Sequence, residues 1–180
     1  MELRELKEKD VDGMLEWMHS KESKEIFAKD FNKYTREDVT RFANSKNTKE
    51  NINYACVDDN DEYLGTVSLK NIDYENGNAE YAISFRKEAQ GTGAAMYATK
   101  RILDMAFNEL KLEKVYLDVL LTNKRAIGFY NKVGFVQEGE FRSHFKRNGE
   151  YVDLLWFSML NEEYKKLYEK DNVKSLSLSK

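Results

Sequence analysis

The stretch RKEAQGTGAAMYATK, Arg86 to Lys100, constrains this chain more than any other. Before it, apolar residues recur at alternate positions through NINYACVDD, YLGTVSLKNID and AEYAISFR, the period of strands. After it, from Gly91 to Leu110, the spacing becomes helical, with Ala95, Tyr97, Ile102, Met105, Ala106 and Leu110 as the apolar positions. The following KVYLDVLL is again apolar and β-rich. A strand, a long helix and a further strand form a crossover unit, which sets two neighbouring strands parallel. The turns DNDE and YENGN join the three preceding strands into an antiparallel meander.

The remaining segments add to one sheet. ELRELK reads as a first strand. Asp10 is placed to cap a helix through VDGMLEWMHS, with Val11, Met14, Leu15 and Met18 on one face. KESKEIFAKDF reads as a helical turn or short helix. Thr35 and Asp38 form a capping box ahead of a helix whose stripe is Val39 and Phe42, and residues 47–50 read as loop. NKRAIGFYNKV is a short helix, capped by Asn123 and ended by Gly134. FVQEGEFRSHFKR and EYVDLLWFSML form a hairpin about a tight Asn-Gly turn. NEEYKKLYEK reads as a terminal helix and DNVKSLSLSK as a loose tail. The expected class is α+β: a single mixed, mostly antiparallel sheet flanked by helices, in one domain over residues 1–168 with a tail over 169–180.

Composition narrows the function. A chain of 180 residues with eleven Tyr and ten Phe suits one packed core. Net charge is −3 with no basic block, which argues against a nucleic-acid partner. The single cysteine excludes an internal disulfide, and Cys56, in an apolar strand with no nearby His, reads as a buried inert thiol. The two histidines, His19 and His144, argue against a His-rich metal site. The charged start MELRELKEKD shows no signal peptide, and no apolar run reaches membrane length. The expectation is a cytoplasmic protein with neither nucleic-acid nor membrane partner.

The turn Gln90, Gly91, Thr92, Gly93, Ala94 and Ala95 lies where a strand passes into a helix. Such a place leaves backbone N–H groups without helical partners, on the positive end of the helix dipole. Small residues admit a phosphate close to the backbone. The Gly-Lys-Ser/Thr ending of a Walker turn is absent, as are the third glycine and early placement of a Rossmann turn. By itself the turn is either an anion site or a helix start with glycines for close packing.

Its context bears on that choice. Q-G-x-G-x-A (Gln90, Gly91, Gly93, Ala95) after a meander, then N-x-x-A-x-x-x-Y (Asn123, Ala126, Tyr130) and KVGF, resembles the GNAT superfamily of N-acetyltransferases. The terminal hairpin resembles the branch with ribosomal-protein, spermidine and amino-sugar acetyltransferases. The resemblance spans about Leu3 to Tyr164 and is strongest from Ala79 to Phe157. It implies acetyl-CoA as co-substrate, with its pyrophosphate on the N–H groups of Gln90 to Ala95. It also implies that the strand through Phe85 and Arg86 pairs with the pantetheine arm and splays from YLDVLL.

Acetyl transfer to an amine needs a neutral amine, donors for the developing oxyanion and a proton for the leaving thiolate. Tyr130 shares a helical stripe with Ile127 and Val133, which alone reads as core; the resemblance implies that it is the acid. Asn123 caps its helix and, in this branch, also contacts the CoA. Glu80 opens the strand leading to the glycine turn; it is a candidate base, an attractor for a cationic acceptor, or a plain strand-end charge. Ser84 shares its face by strand parity. Trp17, His19 and His144 are further acceptor-side candidates, because the first helices and the hairpin form that side in relatives. The acceptor is expected to be a small primary amine, with a nucleotide-linked amino sugar favoured over a polyamine or a protein N-terminus; a non-catalytic acyl-CoA-binding module is the reading from another class. The hairpin could pair across a homodimer.

Overall fold

In the computed structural model, which describes residues 1–147 and 149–169, the strands are β1 (Glu2–Glu5), β2 (Ile52–Val57), β3 (Tyr63–Asp73), β4 (Asn78–Phe85), β5 (Lys114–Leu120), β6 (Val136–Arg147) and β7 (Glu150–Leu160). They form one sheet in the order β1-β2-β3-β4-β5-β7-β6. The helices are α1 (Val11–Met18), α2 (Lys21–Ile26), α3 (Arg36–Ala43), α4 (Ala94–Asp104), α5 (Lys124–Val133) and α6 (Asn161–Tyr164). The class is α+β, as expected, and β4 and β5 are the parallel pair that the crossover requires; the other neighbours are antiparallel.

The β4–β5 pairing is short. Asn78, Ala79 and Glu80 face Lys114, Val115 and Tyr116, and beyond Glu80 the two strands diverge. Each stays paired on its other side, β4 to β3 as far as Phe85 and β5 to β7 as far as Leu120. The sheet therefore opens in its middle without losing its outer ladders.

Two apolar clusters hold the layers. One packs α4 and α5 on β3, β4, β5 and β7 through Leu69, Tyr81, Ala98, Ile102, Leu117 and Phe157. The other packs α1 and α3 on β2 and β3 through Val11, Met14, Trp17, Val39, Val57 and Tyr63. The buried stripe of α4 is offset from the expected one. Ala94, Ala98, Ile102, Leu103, Ala106 and Phe107 are buried, whereas Ala95, Tyr97, Met105 and Leu110 are half-buried. Alanine at 94 and 98 lets the helix lie close to the strands: the Cys56 thiol, itself buried, reaches the Ala94 carbonyl at 4.0 Å. The helix begins at Ala94, not Gly91, and past Asp104 it continues as a π turn over Met105–Glu109.

The caps are mostly as expected. Thr35 and Asp38 form their box, and Asn123 Oδ1 accepts the Ala126 N–H at 3.1 Å. Asp10 behaves otherwise: its buried carboxylate makes no cap bond to α1, but accepts the Lys7 N–H and two bonds from the Arg4 guanidinium at 2.8 Å. The short chain path between Arg4 and Asp10 makes that ion pair available, and a charged donor outcompetes a backbone one. Phe42 is exposed and Ala43 faces the core in its place. The hairpin is irregular next to His144. Ser143 takes a positive φ of 52°, and its N–H donates to Asp153 Oδ1 at 2.7 Å across a break in the β6–β7 register. Asn148 of the hairpin turn and the tail from residue 170 lie outside the described residues.

Candidate active site

Past the divergence, β4 lines a cleft of about 590 Å³. The end of β4 contributes Ile83, Ser84 and Phe85, and the glycine turn with the start of α4 contributes Gln90, Gly91, Gly93, Ala95 and Met96. From α5 and its cap come Asn123, Arg125, Ala126, Phe129 and Tyr130; Trp17, Glu22, Ile26 and Phe27 close the side formed by α1 and α2.

The turn sorts its amides into two sets. Gln90 N–H donates to Lys87 O at 3.1 Å, Thr92 N–H to Ala89 O at 3.4 Å and Ala94 N–H to Thr92 Oγ1 at 3.3 Å. The first α-helical bond then runs from Tyr97 N–H to Gly93 O. The N–H groups of Gly91, Gly93, Ala95 and Met96 are left with no partner among the described residues. These four residues are also the ones of this segment, with Gln90, that line the cleft. Gly91 and Gly93 have φ of 77° and 88°, a left-handed backbone that only glycine adopts readily, and both face open space. Positive φ at alternate residues aims the free amides the same way, making a concave donor set at a helix N-terminus that suits a phosphate pair. The expected cradle of Gln90 to Ala95 has free amides only in part. The amides of Gln90, Thr92 and Ala94 are used inside the turn, and Met96 joins the free set.

On the facing helix, Tyr130 is 8% exposed and packs edge-on against Tyr81 and Phe135. Its hydroxyl has no hydrogen-bond partner among the described residues, unlike those of Tyr63 and Tyr81, which meet Thr66 and Thr99 at 2.7 and 2.8 Å. Burial, and secondarily the charge of Asp118, holds the Tyr130 phenol well above its ordinary pKa, so it is a neutral donor at pH 7. The capping amide Asn123 ties α5 to α2 as well, since its Nδ2 donates to Ile26 O at 3.2 Å. Arg125, in the first turn of α5, bridges the cleft mouth from Gln90 Oε1 (2.8 Å) to Glu22 Oε1 (2.7 Å).

Of the residues singled out in the sequence, Trp17, Ser84, Phe85, Gln90, Gly91, Gly93, Ala95, Asn123 and Tyr130 meet at this cleft. Others do not. Arg86 turns to α1, where it pairs with Glu16 at 2.5 Å, because it caps the strand end beside that helix. The Thr92 hydroxyl closes the turn onto Ala89 O, and Ala94 is fully buried. His19 sits exposed at the end of α1 with Nε2 on Tyr34 O at 2.9 Å. His144 is exposed on the hairpin, edge-on to Phe141 and Phe145. Glu80 is ion-paired with Lys70 and accepts a bond from Asn71 Nδ2 at 2.8 Å, so its carboxylate is committed away from the cleft.

Sequence reasoning passed over Met96 and Arg125, which line the cleft, and over Asp118, which does not line it but stands on β5 beyond the divergence. The signal for Arg125 is a cation in the first turn of a helix, where the dipole disfavours it unless an anion is near. The signal for Asp118 is a lone charge inside the apolar run of β5. Among the described residues no three His, Cys, Asp or Glu side chains are grouped to hold a metal ion, and no helix is long and apolar enough to cross a membrane.

Comparison with known proteins agrees with this geometry. A family model described as an acetyltransferase (GNAT) domain matches residues 1–136. Spermidine N(1)-acetyltransferase of Vibrio cholerae serotype O1 is 38% identical over 101 residues, 56% of this chain and 58% of that protein. The putative ribosomal N-acetyltransferase YdaF of Bacillus subtilis is 32% identical over 100 residues, 56% of this chain and 55% of that protein. The chain thus spans little more than half the length of these curated relatives. Among solved structures, spermidine N-acetyltransferase from Vibrio cholerae in complex with CoA and spermine superposes with a TM-score of 0.81 at 27% identity, covering 91% of this chain and 96% of that one.

Proposed function

The chain belongs to the GNAT acetyltransferase family, and from that membership we propose that it transfers the acetyl group of acetyl-CoA directly to a primary amine of a polyamine such as spermidine. The observation that carries the reading is the pairing of four free amides, at Gly91, Gly93, Ala95 and Met96, with the unpartnered Tyr130 hydroxyl on one cleft. The amides and the dipole of α4 hold the pyrophosphate; Arg125, already at the mouth, adds a charge that phosphate can draw from Glu22. The pantetheine arm lies along Ile83 to Phe85, where β4 has lost its neighbour. Acetyl-CoA supplies an activated acyl group, so no protein nucleophile is needed. As the C–S bond breaks, Tyr130 gives its proton to the sulfur.

For the acceptor, the relatives favour the polyamine over the nucleotide-linked amino sugar that the sequence resemblance suggested. The test is thiol release from acetyl-CoA, followed with DTNB, over spermidine, nucleotide-linked amino sugars and N-terminal peptides. Turnover with kcat/KM highest for spermidine is expected. Turnover confined to amino sugars or peptides would replace the acceptor class, and binding of acetyl-CoA without turnover on any amine would make the chain a binding module.

A further inference from the structure

The acetyltransferase reading leaves the attacking amine without a base, because the Glu80 carboxylate is engaged by the Lys70 ion pair and the Asn71 amide. We propose, resting on that reading, that Asp118 is the carboxylate that takes the proton from the incoming ammonium, on the opposite side of the strand gap from the acid.

Its placement carries the argument. The last β4–β5 pair is Glu80 with Tyr116, so Asp118 is the first β5 residue beyond the divergence on the face that Glu80 and Tyr116 share. The neighbours Leu117 and Val119 point the other way, into the core that holds Tyr130. Asp118 therefore stands at the opening of the sheet with its side chain exposed and no ion pair among the described residues. It is directly opposite Trp156 of β7, whose ring stacks on Tyr116 at 5.7 Å and meets Phe141 at 5.5 Å. The Trp156 indole N–H is buried with no partner among the described residues. A carboxylate beside an aromatic wall is the environment that attracts an alkylammonium.

The electrostatics fit a proton acceptor. The surrounding protein and the charge of Glu80 push the Asp118 carboxyl above the ordinary carboxylate range, while Lys70 and His144 pull it back. Its own charge in turn raises Tyr130, so the two groups feel each other across the sheet. The charged and titratable groups around it are Glu80 on β4, Lys70 on β3, Tyr116 on β5, His144 on β6 and Tyr130 on α5.

The proton count closes. The ammonium gives one proton to Asp118 and becomes a neutral amine. Its nitrogen forms the bond to the acetyl carbon as the C–S bond breaks, and the thiolate takes the Tyr130 proton. The nitrogen of the new amide then loses its remaining extra proton to the tyrosinate, restoring the phenol, and Asp118 releases its proton to water. The sum is ammonium plus thioester giving amide, thiol and one proton.

The experiment is the pH profile of kcat/KM for spermidine, from pH 5 to 9, on the wild type, Asp118→Asn and Glu80→Gln, with the acetyl-CoA Kd measured alongside. Asp118→Asn should lower kcat/KM by about 10²-fold or more and abolish the acidic limb, with the Kd unchanged. Glu80→Gln should keep that limb and move it to lower pH, since a like charge beside Asp118 is gone. An Asp118→Asn variant with a wild-type rate and profile overturns the assignment. Loss of the limb in Glu80→Gln alone returns the base to Glu80. A wild type that releases no CoA with any amine overturns the acetyltransferase reading first, and this inference with it.

Discussion

At the scale of single residues, one hydroxyl separates a core aromatic from an acid. Tyr130 is placed for the packing and for the proposed acid role: its ring closes the apolar cluster with Tyr81, Phe135 and Phe157, and its oxygen is left without a partner among the described residues. Tyr130→Phe keeps the ring, so the melting temperature and acetyl-CoA affinity should hardly change. The single-turnover rate of acetyl transfer should fall by about 10²- to 10⁴-fold. A variant with the wild-type chemical rate would leave Tyr130 a packing residue. The helical stripe of Tyr130 was legible in the sequence, and so was its motif, but the missing partner was not, because it depends on which hydroxyls from other strands come near. The same limit explains Glu80. Its parity was readable, whereas its neutralisation comes from Lys70, which only the register of β3 against β4 places beside it.

At the scale of elements, the turn into α4 joins a conformational demand to a binding one. Gly93 has φ of 88° and nothing within 4 Å of where a Cβ would stand, so the space beside it is open. Gly93→Val should cost about 1–2 kcal/mol for left-handed backbone and put two methyl groups beside the free amides. The acetyl-CoA Kd measured by calorimetry should rise at least about tenfold, while a cooperative melt persists a few degrees lower. Unchanged affinity would move the phosphate site elsewhere. The sequence announced this turn through its glycines and its change of period. It could not say which amides stay free, since Thr92 takes one with a side chain and two close on carbonyls three residues back. The buried face of α4 was misplaced by one position for a related reason. Ala94 carries little hydrophobic signal, and it is buried in the cluster that includes Cys56 on a distant strand.

At the scale of the whole molecule, element order was sufficient for the sheet. The meander, the crossover and the hairpin each specify their neighbours locally, and the family motifs fix how they join. The protein's acid stability follows from where its carboxylates lie. Hydrogen bonds and cations hold Asp38, Asp58, Asp61, Asp73 and Glu138 below their ordinary values, with Thr35, Glu62, Lys9, Asn76 and Lys114 as the leading partners. The stabilisation from such groups is complete above their unfolded pKa of about 4 and is lost as pH falls through the lower folded values. Asp118, raised in the folded state, runs the other way and gains stability as it protonates. Glu88 is held down as well, and with six lowered carboxylates against one raised, the balance predicts urea midpoints that are level through neutral pH and decline below about pH 4. A midpoint that rises between pH 5 and 3 would contradict it.

The parting of β4 and β5 after Glu80 gives this sheet four edges instead of two. The outer pair, β1 and β6, meets solvent in the ordinary way, and β6 carries Glu138, Glu140, Arg142 and Lys146 along its exposed length, a guard against a stray strand. Of the inner pair, β4 has no such guard within 81–85, where the side chains are uncharged, and the opened part of β5 carries Asp118 as its one charge. What protects it is confinement, since each inner edge faces the other across a wedge that narrows to a closed ladder. An extended ligand laid there, as proposed for the pantetheine arm, would be in effect an eighth strand. Amide hydrogen exchange reads this directly: alternate N–H groups of residues 81–85 should exchange fast in the free protein and slow with acetyl-CoA, while the β1 and β6 edges stay as they were.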